Sequence, residues 1–450
     1  MKDKEQLQAE DLRYNWHPFT QMEEQKKWGS KIITGGKGVI LKDIDGKEYI
    51  DAMGGLFTTA VGHGCTEIID AMREQGEKLE FVSLFDFFTN VPAIELSKKL
   101  VEITPGNLQY VQYGCSGSDA VEIALKMVRQ YQKMKGFSNR YKIIGRRSSF
   151  HGVSMGALSA NGVTAFREPF EPLVPGFRHI APVNCYNCPF NKNYPDCDID
   201  CALHLEKQII FEGPETVAAF IAEPIPSAGG VFEPPPEYWP KIQEICGRYD
   251  VLLIVDEILT GFGKAGALFA CELYNTVPDI LLLAKAITSG YFPLSAVLVK
   301  PEIYDSFLGP TSKEAFLHGQ TYQGHPIGCA AGLKNIEIIE EKSLVENAQD
   351  VGRYLGEQLK TLSDFKTVAN ITGIGLLRSI GLREKATQKD IPYNIGVKMR
   401  EKAYELGLIC RFQVNSLVMS PPLILTREEV DRIVEILKNT LIEAENSYLR

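Results

Sequence analysis

The stretch Val251-Leu252-Leu253-Ile254-Val255-Asp256-Glu257, followed downstream by Ile280-Leu281-Leu282-Leu283-Ala284-Lys285, decides the reading of this chain. Each run is short, apolar without interruption and closed by a charge. Runs of this kind read as strands buried on both faces of a mostly parallel sheet. A single Asp or Lys at such a place is ordinarily the first solvated residue. Here two consecutive candidate strands end in opposite charges, at the sheet edge where ligands of α/β proteins bind. A partly desolvated lysine has a lowered pKa and forms Schiff bases. A carboxylate facing a pyridine nitrogen keeps that nitrogen protonated and makes the ring an electron sink.

Outward from this pair the pattern repeats. Tyr110–Tyr113, Lys142–Ile144, Val217–Ile221 and Leu294–Val299 are further strand-like runs, separated by amphipathic stretches. The alternation predicts an α/β fold. Before it, residues 32–52 read as a small meander about the turn Asp45-Gly46-Lys47, then helical patterns follow at Ile68–Leu79 and Ala93–Glu102. After residue 330 the chain is helix-rich, with strand-like segments at Ile371–Ile380 and Leu408–Met419. Thr426 is placed to cap a last helix over Glu428–Ala444.

Three further segments bear on chemistry. Gly114-Cys115-Ser116-Gly117-Ser118-Asp119 follows a strand and opens a helix, where free backbone N–H groups favour a phosphate. The spacing of its glycines is not that of a dinucleotide fingerprint, which disfavours a nicotinamide dehydrogenase. Ser149-Phe150-His151-Gly152 follows another strand and offers an aromatic ring for stacking or for the core. His318–Pro326 is polar and turn-rich, the character of a functional loop.

Composition bounds the rest. With 450 residues, 44% of them hydrophobic, the chain can bury a large core spread over more than one domain. A net charge of -9 with both signs interspersed predicts no nucleic-acid partner. No apolar run is long enough for a bilayer, and the charged opening residues lack a secretory pattern, so a cytoplasmic protein without membrane contact is expected. Of ten cysteines, Cys185, Cys188, Cys197 and Cys201 cluster. They read either as reduced thiols in a polar loop or as a tetrahedral metal site, for which the intervening loop is short; no metal is expected in the chemistry.

Together, Asp256–Gly263, Ala284-Lys285 and His318–Pro326 resemble the class III aminotransferases in order and spacing, from about residue 15 to the C-terminus. The resemblance implies pyridoxal-phosphate fold type I. It implies a large domain over 69–330 with a mostly parallel seven-stranded sheet, and a small α/β domain from 1–68 and 331–450. It also implies a homodimer or a dimer of dimers. Lys285 would carry pyridoxal 5'-phosphate as a Schiff base and shuttle protons, and Asp256 would hold the ring nitrogen. Phe150 and Ile258 would flank the ring, with His151 and Glu223 near it. Ser116, Gly117 and Ser118 would bind the phosphate, and Thr321 the phosphate in the partner subunit. Asp119, Leu259 and Ala286 depart from the commonest family pattern without removing a catalytic group.

Val153 and Ala228 stand where GABA and ornithine members carry an Arg and a Glu, so the chain is more similar to the amine and ω-amino acid:pyruvate branch. There Arg411 would bind the carboxylate of a 2-oxo acid acceptor such as pyruvate. Phe57, Leu84 and Phe85 would wall an apolar substrate pocket. The opening Trp16–Thr20 and the cysteine-bearing insertion are similar to taurine–pyruvate aminotransferases, with β-alanine and simple amines also open as donors. The same fold serves epimerases, an aminomutase and a decarboxylase, and a non-catalytic cofactor-binding protein is a further alternative.

Overall fold

The deciding strands lie at the centre of a seven-stranded sheet. The structure, a computed structural model, describes residues 3–387, 389–413 and 416–448. Across the sheet the order is Tyr110–Gly114, Ser295–Val299, Ile280–Leu283, Leu252–Asp256, Val217–Ala222, Lys142–Arg146 and Phe177–Ile180. Ser295–Val299 runs antiparallel to both neighbours, and the other strands are parallel to one another.

The uninterrupted apolar runs follow from burial on both faces. Ile254, Ile280, Leu282 and Val297 pack with Val121, Ala124, Leu125 and Val128 of the helix Gly117–Met134. The alternate residues Leu253, Val255, Leu281, Leu283 and Leu298 point into a larger core that includes Trp239 and Ile242 of the helix Tyr238–Arg248. All six residues of Val217–Ala222 are buried.

Two smaller sheets flank this one. Ile33–Lys37, Ile40–Asp43 and Glu48–Asp51 form the expected meander, and Leu408–Ile409 adds to it in parallel, so both ends of the chain share a sheet. The meander turn is pinned by Asp43, whose Oδ1 accepts the backbone N–H groups of Asp45 and Lys47. The third sheet is antiparallel, in the order Val368–Ile374, Leu377–Leu382, Ser416–Met419, Arg411–Gln413.

The structure corrects several segment readings. Ile371–Ile380 is not one strand but a hairpin that turns at Gly375, whose φ is +55°. A Cβ there would stand 2.5 Å from the Ala265 carbonyl carbon, so the close approach and the left-handed backbone both require glycine. Leu408–Met419 divides into three short strands. The strand Phe177–Ile180 gave no apolar signal because it lies at the sheet edge and only Ile180 is fully buried. The expected last helix spans Arg427–Tyr448, with Thr426 and Glu429 bonded reciprocally as a capping box.

One buried charge ties the pieces together. Lys264 is fully buried and donates to the carbonyls of Thr59 (2.6 Å), Ser420 (3.2 Å) and Pro421 (2.8 Å). Burial lowers its pKa to about 7, opposed by the Asp51 carboxylate. Among the described residues no helix is long and apolar enough to cross a membrane.

Phe220 sits at the middle of the sheet, opposite Ile144 and Leu253, with no exposed surface. Phe220→Ala is expected to lower unfolding free energy by about 3–5 kcal/mol, read by denaturant unfolding. Phe211→Ala, at a side chain 83% exposed, is expected to change it little.

Candidate active site

Parallel strands bring their carboxyl ends to one edge, and the sequence loads that edge with function. Asp256 ends one strand and pairs in register with Leu282 of the next. Two residues beyond that strand, Lys285 starts a short 3-10 helix with φ +47°. A lysine in the left-handed region is strained, and such strain concentrates at functional sites. The turn aims its amine back over the sheet edge, 5.4 Å from the Phe57 ring centroid. Burial lowers the amine's pKa to about 8; the Glu223 and Asp256 carboxylates work against that shift and the Arg411 guanidinium adds to it.

Asp256 is held from two sides. Its Oδ2 lies 2.7 Å from His151 Nδ1, and its Oδ1 accepts the Ile258 N–H at 3.1 Å. The buried His151 Nε2 has no hydrogen-bond partner among the described residues. The backbone N–H of His151 donates to Asn161 Oδ1, while Asn161 Nδ2 donates to the Gly152 carbonyl at 2.8 Å. Glu223 accepts the Phe150 N–H at 3.0 Å and the Ser227 N–H and Oγ–H at 3.1 and 2.6 Å. Burial pushes the Glu223 carboxyl up from its ordinary value. Beneath it the fully buried Arg146 donates to the Glu223 carbonyl at 2.6 Å.

At the same edge the helix Gly117–Met134 begins. Ser116 caps it, its Oγ accepting the Asp119 N–H at 3.2 Å. The helix N-terminus thus offers N–H groups beside the Ser118 hydroxyl, the donor set for a phosphate. A Cβ on Gly117 would stand 3.1 Å from Ile258 Cγ2, so glycine keeps this floor low.

Lys285, Asp256, Ser116, Gly117, Ser118, Phe150, His151, Glu223 and Ile258 line one cleft of about 470 Å³. These residues fit pyridoxal phosphate: a lysine of lowered pKa, a carboxylate for the ring nitrogen, an apolar residue on either side, and phosphate donors at a helix start. The chain's own cleft does not gather all the expected residues. Thr321 is exposed and lies outside its lining. Leu84 packs on Gly324, and the half-exposed Phe85 sits by Gly319. Phe57 is buried next to Lys285, and Arg411 lines an adjoining cavity.

Cys185, Cys188, Cys197 and Cys201 all line a cavity of only about 20 Å³, and burial pushes the Cys201 thiol up to about 12. Among the described residues no group of three or more His, Cys, Asp or Glu side chains is placed to hold a metal ion.

Sequence reading missed Phe19, Leu56, Thr58, Ser227 and Phe292 in the lining, and Arg146, Asn161 and Lys264 behind it. Arg146 had a usable signal, since it too is a charge closing an apolar strand. The others reach the cleft from distant segments with no local mark.

In cofactor-free protein, modification of Lys285 by fluorodinitrobenzene, located by peptide mapping, is expected to accelerate as pH rises through about 8, where the amine becomes neutral. Nα-acetyl-lysine in the same buffer is the comparison, with the ordinary free-lysine value of about 10.4. A shared midpoint would place the Lys285 amine in water.

The family model "Aminotransferase class-III" matches residues 22–441. A putrescine–pyruvate aminotransferase of Pseudomonas aeruginosa is 35% identical over 437 residues, covering 96% of this chain and 95% of that one. An (S)-enantioselective omega-transaminase from Thermomicrobium roseum superposes with a TM-score of 0.95 at 38% identity, covering 99% of both chains. An amine transaminase from an uncultivated Pseudomonas species, solved in its PLP-bound form, gives 0.93 at 34% identity over 96% of this chain and 99% of that one. By cleft, fold and sequence alike, the chain belongs to the class III aminotransferases, enzymes of pyridoxal-phosphate fold type I.

Proposed function

We propose that the protein moves an amino group from an amine or ω-amino acid, of the kind of taurine or β-alanine, to a 2-oxo acid, with pyruvate as the acceptor. The observation that carries this reading is Arg411. Its half-buried guanidinium lines the cavity adjoining the Lys285 cleft and makes no hydrogen bond or ion pair among the described residues. An unpaired buried cation beside the reacting amine is a seat for a carboxylate. The P. aeruginosa relative, named for putrescine and pyruvate, supports the same pairing of donor and acceptor.

The cofactor, when bound, supplies an electron sink for the carbon that carries the amine. The chain's side chains do the rest. Lys285 Nζ holds the cofactor and then takes up and returns the substrate proton, which a pKa near neutrality allows in both directions. Asp256 keeps a proton on the ring nitrogen, and His151 positions the Asp256 carboxylate. Phe150 and Ile258 would flank the ring, and Ser116, Gly117 and Ser118 would hold the phosphate. Glu223 stands above Ser227 near the reacting amine. Thr321, Leu84 and Phe85 lie outside their own cleft, which supports a homodimer in which each copy completes the other's site.

Asp256→Asn is expected to cost about 3 kcal/mol or more in kcat/KM, the scale of a buried charge-assisted contact. Near-normal turnover would leave Asp256 a structural part only.

The reading as a whole is tested by a panel of amine and amino acid donors with pyruvate and 2-oxoglutarate, scored by product. In single-turnover measurements, Arg411→Ala is expected to slow the pyruvate or alanine half-reaction by about 10- to 100-fold. A simple amine donor should lose less. Equal losses on both would remove Arg411 from acceptor binding.

A further inference from the structure

Past Arg411 the site does not close. A second cavity of about 590 Å³ opens there, and Phe19 lines both it and the Lys285 cleft. This is far more room than a three-carbon oxo acid fills, and its lining sets Phe19, Phe166, Phe232 and Phe412 beside polar and charged side chains.

One wall is a sheet face. In the antiparallel sheet, Arg411 lies opposite Val418 and Val418 opposite Ser379. Ser416 lies opposite Gly381, which lies opposite Asn370. Side chains opposite one another share a face, as do residues two apart. So Arg411, Ser379, Gly381, Asn370 and Ser416 all present to one side, and all five line the cavity. Gly381 keeps that face open, since a Cβ there would meet Asn370 Oδ1 at 2.2 Å.

The polar groups on this wall are unspent. Ser379 is 1% exposed, and its Oγ has no hydrogen-bond partner among the described residues. A buried hydroxyl left unpaired costs free energy unless something bonds it. The same cavity is lined by Arg400, from the helix Tyr393–Glu405. Its Nε is bonded by Glu401 at 3.1 Å, and that carboxylate also takes Lys31 at 2.8 Å. The neighbouring Arg383 is likewise paired, with Asp390 at 2.8 Å.

We propose that this chamber is a subsite for the far, anionic end of a long donor, held between Ser379 on the sheet wall and Arg400 on the helix. The preferred substrates are then ω-amino carboxylates with a longer chain than β-alanine or taurine. Their amine reaches Lys285 and their carboxylate passes Arg411 into the chamber. This rests on the aminotransferase reading above and narrows its donor class.

The test compares kcat/KM for 4-aminobutyrate, 5-aminopentanoate and 6-aminohexanoate with butylamine, pentylamine and hexylamine, pyruvate being the acceptor throughout. The ratio of acid to matched amine is expected to rise with chain length. Arg400→Met is expected to cut that ratio for the longest pair about tenfold or more, the scale of a charge-assisted hydrogen bond. Ser379→Ala is expected to cut it less. Calorimetric titration of the holoenzyme with adipate reads the chamber without turnover, and Arg400→Met should weaken binding by a similar factor. A ratio flat with chain length, or one that Arg400→Met leaves in place, overturns the proposal, as does adipate that fails to bind. Turnover of butylamine tests the aminotransferase reading separately, because that donor has no end to place in the chamber.

Discussion

The bond between His151 Nδ1 and Asp256 Oδ2, 2.7 Å long and shut off from water, holds together the two elements on which the site depends. It crosses from the loop after one strand to the end of another. Once it is made, the Phe150 backbone is in place to donate to Glu223, and Glu223 in turn fixes Ser227. A carboxylate buried here is costly unless its oxygens are engaged. His151 and the Ile258 N–H engage both and still leave the carboxylate facing the cleft. Asn161 and Arg146 repeat the device one layer down, each bonding backbone groups of the segments that carry the reacting side chains.

The substrate side rests on a different constraint. The N-terminal segment, the large sheet and the C-terminal sheet have to meet with their backbone carbonyls satisfied. Lys264 does this with one ammonium group and three acceptors. Thr59 is one of those acceptors and directly follows Leu56, Phe57 and Thr58 at the cleft, while Ser420 and Pro421 directly follow the Ser416–Met419 strand, which pairs with the strand carrying Arg411. A single buried amine therefore sets the N-terminal wall of the cleft and the arginine-bearing sheet relative to each other. The tightness of Gly54 and Gly375 around it shows how little room the junction leaves.

The charge pattern follows from this architecture. Lys285 sits among two carboxylates and a guanidinium in a half-buried cleft, and burial is the dominant effect on its pKa. Beyond Lys285, Arg411 and the Glu401-paired Arg400 line the adjoining cavity. Near the sheet edge the charges serve bonding to one small group, and farther out they stand among serine and asparagine side chains with room to spare.

The amino-acid sequence by itself determined the sheet and the chemical pair at its edge. Uninterrupted apolar runs closed by Asp256 and Lys285 are legible because burial on both faces leaves no polar residue inside the strand, so the first charge marks its end. Ser116 to Ser118 before an amphipathic helix is legible for a similar reason, since capping is local. The edge strand Phe177–Ile180 was not, because one face and one edge meet water and its composition carries no period. The turn at Gly375 was hidden inside an apolar run, and only the approach of residues 264–266 explains it. What the tertiary structure alone decided is which distant side chains share the cleft and which do not. Phe19, Leu56 and Phe292 join it from far along the chain, Leu84 and Thr321 stay outside it, and Ser379 and Arg400 line one cavity. Those relations depend on how separate elements pack, and packing brings residues together without leaving a mark in the neighbouring sequence.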